Sequence, residues 1–219
     1  MKVRERLSSK NGKSEARGRD FDGAAILHNM VSHNPPIDVV TTLIEIDPKS
    51  VSVRDMRETL ALHRAVSSGA SKDVVMLLLS KNSDSISKTD TKHRTPLHCA
   101  LKYACDNSAK KDDPALDIIT ALFQAAPSST IVRDRSNETP IDIALRNGRN
   151  GPIANVLRDE MKHAMKRDSS LFRNDVDVED FIPDTDEEDK QEKISELMHW
   201  SRKQSTRKFE SGRRGLKML

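Results

Sequence analysis

The strongest constraint on the fold of this chain is a sequence pattern that returns four times in its first two thirds. Each copy begins with Asp and has Leu or Ile at its eighth position, and the first three copies start 35 residues apart. The copies read DFDGAAILHNM, DMRETLALHRA, DTKHRTPLHCA and DRSNETPIDIA, and they start at Asp20, Asp55, Asp90 and Asp134. A period of this length is typical of proteins in which small units stack into one elongated core.

Two further blocks return in step with the first. An apolar block appears as DVVTTLI, DVVMLLL and DIITALF, and Pro48, Ser83 and Pro127 each stand seven residues before the next Asp. The third copy is longer by nine residues, which lie between its two helical blocks around YACDNSAKKDDP. The fixed order of the blocks predicts a pair of helices and a connector in every unit.

The third copy shows most clearly how a unit begins. Thr95 is a favourable N-cap, and Pro96 suits the first helical position because its missing N–H has no intrahelical partner to lose. Leu97 and Leu101 then fall on one helix face. Two helices this short cannot bury their apolar faces alone, so the units are expected to stack on one another.

This pattern resembles the ankyrin repeat, whose signature D-x-x-G-x-T-P-L-H-x-A is followed by a second helix. TPLHCA and TPIDIA carry the resemblance best, AILHNM and LALHRA are divergent, and the connectors resemble divergent repeats of algal or protist proteins. The resemblance implies an all-α solenoid of about four helix pairs over residues 20–167, with β-hairpin-like fingers. The structural motif residues would be His28, His63, Thr95, Pro96, Leu97, His98, Thr139 and Pro140, and in the family the motif histidine bonds backbone and the capping Thr.

The turn glycine of the motif survives only in the first copy. Gly23 occupies this place there, whereas Glu58, His93 and Asn137 occupy it in the other copies. Of these three, Asn best tolerates a positive φ.

The segments outside the repeats differ from them in composition. Residues 1–19 are basic and are predicted to be disordered, as is most of the charged tail 168–219. Residues 175–189 contain nine acids and no base, and residues 202–217 contain seven bases and one acid. A helix near 188–209 has three interpretations: a marginal exposed helix, a partner-binding helix of the calmodulin-target type, or part of a nuclear or nucleic-acid-binding element.

Several functional classes find no support in the sequence. Two cysteines make no disulfide framework, and the longest apolar run, VVMLLL, is far shorter than a membrane span. Phosphate-binding, hydrolase and metalloprotease motifs are absent, so no catalytic residue and no cofactor is assigned. We expect a non-enzymatic protein located in the cytoplasm, the nucleus or both.

Two histidines and two cysteines lie close together in HRTPLHCALKYAC. As zinc ligands, His93, His98, Cys99 and Cys105 lack the close pairing that such sites usually show. His98 belongs to a periodic set whose other members, His28 and His63, have no adjacent cysteine. A structural role is therefore favoured over a metal site.

The variable positions of the motif line the concave binding surface in ankyrin-like stacks. Carried over to this chain, the predicted partner-binding residues are Phe21, Met56, Arg57, Thr59, Thr91, Lys92, Arg94, Lys102, Tyr103, Arg135, Ser136, Glu138 and Arg146. Positive charge predominates in this set, which predicts an acidic or phosphorylated protein partner for a scaffold or adaptor. Tyr103 and Met56 are the expected anchors.

The charged tail suggests a second ligand for the same face. Its acidic segment 175–189, with Phe181 and Ile182 as apolar anchors, is expected to dock on the basic face and to compete with a partner. Thr185 and Ser205 resemble kinase sites, and phosphorylation of Thr185 would strengthen the docking. The alternative function is a nucleic-acid- or chromatin-associated protein that uses its basic ends, although nucleic acid is the less favoured ligand.

Overall fold

The computed structural model describes residues 17–107, 113–146 and 151–167, and within these ranges it contains eight α-helices and no β-strand. The helices are α1 (Ile26–Val31), α2 (Ile37–Ile46), α3 (Ala61–Ser67), α4 (Lys72–Lys81), α5 (Pro96–Asp106), α6 (Pro114–Ala125), α7 (Pro140–Arg146) and α8 (Pro152–Arg167). They form four consecutive pairs, which we call units one to four. The all-α class and the helix-pair solenoid are confirmed.

The pairs stack in two layers. The first helices of the units, α1, α3, α5 and α7, contact one another in sequence and form an inner layer. The second helices, α2, α4, α6 and α8, do the same in an outer layer, and each packs on the first helix of its own unit. The core therefore runs the length of the stack between the layers.

Each connector between units is a short 3₁₀ turn. These turns span Pro48–Ser52, Ser83–Ser87 and Pro127–Ile131, where the third sequence block recurs. A buried serine in each turn, Ser50, Ser85 or Ser129, donates its hydroxyl to the carbonyl three residues earlier, at 2.6, 2.5 and 2.7 Å. The serine therefore satisfies a carbonyl at the end of the outer helix that has no intrahelical partner.

The apolar stripes read from the sequence lie in the core. Leu97, Leu101, Ile119, Leu122 and Phe123 of unit three are fully buried. The insertion in this unit begins inside a helix, because α5 continues to Asp106 and has eleven residues, whereas α3 has seven. Cys105, which belongs to the inserted segment YACDNSAKKDDP, lies within this longer helix.

The ends of the chain are described only in part. Residues 17–19, assigned above to a disordered segment, contact the stack: Arg17 donates to the carbonyl of Ile46 at 3.2 Å, and Arg19 forms an ion pair with Asp47 at 3.2 Å. The predictions for residues 1–16 and for the tail 168–219, with its helix near 188–209, Thr185 and Ser205, lie outside the described residues. Within the described ranges, no helix combines the length and the apolar character that crossing a membrane requires.

Candidate functional site

A tight turn precedes the inner helix of every unit, and we call residues 20–24, 55–59, 90–94 and 134–138 the finger turns. In unit three, Asp90 accepts two backbone N–H bonds on Oδ1, from Lys92 at 2.8 Å and from Arg94 at 2.9 Å. The aspartates that open the other finger turns accept the same two bonds. The recurring Asp is therefore the residue that folds each turn.

The fourth residue of every finger turn has a left-handed backbone. Gly23 has a φ of 73°, and Glu58, His93 and Asn137 have φ values of 57°, 58° and 63°. The three non-glycine residues therefore adopt the conformation that the motif glycine favours, at a cost of roughly 1–2 kcal/mol each. The β-hairpin character of the fingers is not confirmed, because the described residues show only an isolated bridge between Arg19 and Ala25.

Backbone hydrogen bonds join the tips of neighbouring finger turns. The N–H of Met56 donates to the carbonyl of Asp22 at 2.8 Å, and that of Thr91 donates to the carbonyl of Arg57 at 2.9 Å. The third bond runs from Arg135 to the carbonyl of Lys92 at 3.0 Å. The tips of all four units therefore form one line in which the order of residues is fixed.

The side chains along this line change from apolar to basic. Phe21 is 100% exposed and Met56 is 72% exposed, so units one and two present two large apolar groups to solvent. Arg57, Lys92 and Arg135 follow along units two to four, and all three are exposed. Within the described part of the chain, no carboxylate forms an ion pair with any of these three cations. We call these five residues the tip line.

A groove of about 320 Å³ adjoins the basic part of the tip line. It lies between the finger turns and the inner helices of units three and four, and Lys92, Lys102 and Ser136 contribute to its lining. Arg94, Glu138 and Arg146 line it as well, so six of the predicted partner-binding residues meet here. Cys105, Asp106 and Ile143 also line the groove, and sequence reasoning missed them because the extension of α5 into the insertion was not predicted.

Four predicted binding residues have partners inside the stack. Thr59 donates its hydroxyl to Asp55 at 2.5 Å, and Arg94 donates from Nε and from Nη2 to Asp90 at 2.9 and 2.6 Å. Arg146 forms an ion pair with Glu138 across the groove. These side chains are therefore less free to meet a ligand than Lys92 and Lys102. Thr91 is half-buried, and Ser136 is exposed.

Tyr103 does not project freely. Its side chain is half-buried and lies against Gly69, so closely that a Cβ built on Gly69 would come within 2.1 Å of the tyrosine Oη. Gly69 has a φ of 69° and follows α3 in unit two. Tyr103 thus fills the space above the turn of the preceding unit, which is a packing role that sequence spacing alone could not reveal.

The motif histidines connect each unit to the next. His98 accepts the backbone N–H of Thr95 on Nδ1 at 3.1 Å, so its ring proton lies on Nε2, which donates to the carbonyl of Glu138 at 3.3 Å. His63 repeats this arrangement with Leu60 and with the carbonyls of Lys88 and Arg94. Burial lowers the pKa of His63 and of His98 to about 4, so both rings are neutral at pH 7.

The first and fourth units depart from this arrangement. His28 donates from Nε2 to the carbonyl of Thr59 at 3.2 Å, but its Nδ1 is buried and has no partner among the residues that the structure describes. In unit four, Asp142 replaces the histidine and accepts the N–H and the hydroxyl of Thr139, both at 2.8 Å. Asp142 is exposed, and its hydrogen bonds to the described residues all lie within its own unit.

The second oxygen of the turn aspartate is satisfied differently in successive units. The residue after the motif histidine supplies the donor in units one and two: Asn29 bonds Asp20 at 2.9 Å, and Arg64 bonds Asp55 at 2.8 Å. In unit three this position is Cys99, a poor donor, and Arg94 bonds the aspartate instead. Although burial opposes it, hydrogen bonds from Thr59 and Arg64 lower the pKa of Asp55 to about 2.

The four residues that could have suggested zinc have separate places. His93 lies in an exposed turn, His98 is buried, and the Sγ of Cys105 contacts the carbonyl of Ile143 at 3.6 Å. Burial raises the pKa of Cys99 to about 11, so its thiol is protonated and is a poor metal ligand. Within the described residues, no three His, Cys, Asp or Glu side chains are grouped so that they could hold a metal ion.

Comparison with protein families agrees with this architecture. Residues 27–111 match the family model described as ankyrin repeats, three copies. Residues 27–111 of this chain therefore contain ankyrin repeats. A search of curated proteins found no significant match. The matched range ends before unit four, which shares the Asp-capped turn and the helix pair of the others.

Ankyrin repeats are general protein–protein interaction modules and are typically non-catalytic. The tip line changes from apolar to basic side chains along the stack, and the groove adjoins its basic part. They therefore form its candidate interaction surface.

Proposed function

We propose that this chain is a non-catalytic scaffold or adaptor whose tip line and groove bind an acidic segment of another protein. The observation that carries the proposal is the row formed by Arg57, Lys92 and Arg135, which has no ion-pair partner within the described residues. Lys102 in the groove adds a fourth such cation. A basic surface of this kind attracts acidic ligands and repels basic ones, so it selects partners by charge.

The apolar end of the tip line adds a second requirement. Phe21 and Met56 are large side chains that gain free energy when a partner covers them, and aromatic and thioether groups are effective contacts at interfaces. The ligand is therefore a segment that has acidic residues next to an apolar residue. A phosphorylated side chain would meet the same cations through charge-assisted hydrogen bonds. The location proposed for this function is the cytoplasm, the nucleus or both.

The test is a charge reversal with a matched control. Lys92→Glu together with Arg135→Glu should weaken binding of a fluorescein-labelled peptide of alternating Glu and Val, about a dozen residues long, by about tenfold or more. Lys49→Glu together with Lys81→Glu changes the net charge equally at exposed positions outside the tip line and should leave affinity within about threefold. Fluorescence anisotropy measures both, and equal losses in the two double variants would contradict the proposal.

Nucleic acid is a different outcome of the same experiment. A DNA duplex offered to the same variants would bind with a steep dependence on salt if phosphate neutralisation were responsible. Stronger binding of the duplex than of the peptide at physiological salt would replace the proposed function by the alternative one.

The same surface is also the proposed docking place of the chain's own acidic segment 175–189. Its charge is opposite to that of the tip line, and its Phe181 and Ile182 match the apolar end.

A further inference from the structure

We propose that the groove between units three and four binds a phosphorylated side chain of the partner, which takes the place of the Glu138 carboxylate on Arg146. The carboxylate of an Asp or Glu in the partner gains nothing from this exchange. The inference rests on the proposed function, because the groove is part of the surface that binds the partner. It deepens that function by assigning Arg146 to one chemical class of ligand, a phosphate monoester on a peptide.

The ion pair between Arg146 and Glu138 lies where a ligand can open it. The side chain of Arg146 is 62% exposed and that of Glu138 is 32% exposed. Water and salt weaken ion pairs at such positions, so little stability is lost when the pair opens. The pair of Arg94 with Asp90 differs, because the Asp90 carboxylate is buried and accepts two bonds from the arginine. Arg146 is therefore the exchangeable arginine of the groove, and Arg94 is the fixed one.

The backbone of Glu138 does not have to move when its side chain leaves Arg146. The N–H of Glu138 donates to the carboxylate of Asp134 at 3.1 Å, and its carbonyl accepts from the N–H of Asp134 at 2.9 Å. The same carbonyl accepts from His98 at 3.3 Å. The finger turn of unit four therefore keeps its shape while the carboxylate rotates towards solvent.

Two of the four cations that line the groove already have an acidic partner. Asp90 pairs with Arg94, and Glu138 pairs with Arg146. The remaining two cations, which form no ion pair with any described residue, are Lys92 and Lys102. A ligand carboxylate on Arg146 would only replace one carboxylate by another, so the exchange would leave the number of charge-assisted bonds unchanged.

A phosphate group changes this balance. A phosphate monoester carries a charge of about −1.5 to −2 at pH 7 and has three strongly accepting oxygens. It can accept hydrogen bonds from the guanidinium of Arg146 and, with its remaining oxygen, from Lys92 or Lys102. The groove has a volume of about 320 Å³, so it has room for one such side chain. A phosphate therefore gains bonds in the exchange that a carboxylate does not gain.

Two further acids line the groove and oppose binding of any anion. Asp134 accepts two backbone N–H bonds of its own finger turn, which stabilise its charge within the turn. Asp106 is exposed at the end of α5, where solvent and salt screen it. Once Glu138 has left, three cations face these two acids, and the groove attracts an anion.

The experiment removes the ion pair without changing the net charge of the full-length chain. The variant combines Glu138→Gln with Arg146→Gln. Fluorescence anisotropy compares the labelled Glu–Val peptide with the same peptide in which phosphoserine replaces one central Glu. The wild-type chain should bind the phosphorylated peptide about tenfold more tightly. In the double variant this advantage should fall below about threefold, whereas affinity for the unphosphorylated peptide should stay within about twofold of wild type.

The matched control is the ion pair between Lys72 and Asp117, which is also exposed and joins the outer helices α4 and α6. Lys72→Gln together with Asp117→Asn leaves the net charge unchanged as well. This control should keep both peptide affinities and the advantage of the phosphorylated peptide. An equal loss of that advantage in the control would overturn the assignment to Arg146.

The remaining results separate this inference from the proposed function. An undiminished advantage of the phosphorylated peptide in Glu138→Gln with Arg146→Gln would overturn the exchange and leave partner binding in place. Equal losses for the two peptides would show that Arg146 binds any anion, which contradicts the preference for phosphate. If neither peptide bound to any of the chains, the proposed function would fail together with this inference.

Discussion

Units one and three have the same fold but are stabilised differently at the start of their inner helices. In unit three, Thr95 and Pro96 begin α5, and both ring nitrogens of His98 have partners. In unit one, Ala25 precedes a helix of six residues, and the Nδ1 of His28 has none. The comparison teaches that burial between neighbouring units maintains the helix pair where the local capping signals are missing.

The largest difference between units three and one in the free energy of unfolding is expected for substitutions at the core position three residues after the motif histidine. Leu101→Ala in unit three removes a fully buried side chain and should lower the free energy of unfolding by about 3–4 kcal/mol. Val31→Ala in unit one removes less apolar volume and should cost about 1–2 kcal/mol less. Denaturant unfolding followed by circular dichroism measures both, and equal costs would show that unit one contributes as much as unit three.

Acid should destabilise the stack through its buried histidines. The pKa of His98 is about 4 in the folded chain and near 6.5 when unfolded, so the unfolded state binds more protons between these values. This stability is present above pH 6.5 and is lost as pH falls towards 4. Between pH 7 and pH 5, the loss should be about 2 kcal/mol smaller in His98→Asn than in the wild-type chain.

The matched control for this pH effect is His33→Asn, because His33 is exposed. This control distinguishes the loss of His98 from the loss of a histidine at the surface. An identical pH dependence in wild type and His98→Asn would contradict the assignment of this window to His98. Below pH 4 Asp55 adds a further loss, because hydrogen bonds hold its pKa at about 2 despite its burial.

Removal of the histidine itself should cost more in unit three than in unit one. His98→Ala leaves the buried N–H of Thr95 and the carbonyl of Glu138 without their partners, whereas His28→Ala releases only the carbonyl of Thr59. The additional unmet donor should make His98→Ala about 1 kcal/mol more destabilising. Thermal unfolding of the two variants measures this difference, and a larger effect in unit one would show that Nδ1 of His28 does have a partner in solution.

The smallest effect concerns two glycines with the same backbone conformation. Gly23→Ala in unit one introduces a Cβ that has no atom of the described residues within 4 Å, and it should cost about 1 kcal/mol for its positive φ. Gly69→Ala must also displace the Tyr103 ring and should cost up to about 1 kcal/mol more. In the Tyr103→Ala background this additional cost should disappear, and its persistence would place the clash elsewhere.

Periodic features of this molecule were readable from sequence, whereas individual contacts were not. The Asp, the positive-φ position and the histidine recur at fixed offsets, so Gly23 and Asn137 indicated where each turn would lie. The pairing of Arg94 with Asp90 was not predicted, although alignment of Asn29, Arg64 and Cys99 contains a signal for it: Cys99 replaces the usual donor in the unit that has Arg94. The contact between Tyr103 and Gly69 depends on the longer α5 and on two different units, and no repeat pattern encodes it.

The hydrogen bonds between finger tips have a consequence for how this surface can evolve. Each unit contributes the side chains of its own finger tip to the tip line. The backbone hydrogen bonds between the tips keep the units in order whichever side chains they carry. A substitution at one tip can therefore change one step of recognition without altering the core or the neighbouring steps. Insertion of one extra unit between the second and third units would move Phe21 and Met56 about 10 Å further from Lys92 and Arg135. Such an insertion would select a longer ligand with the same chemistry.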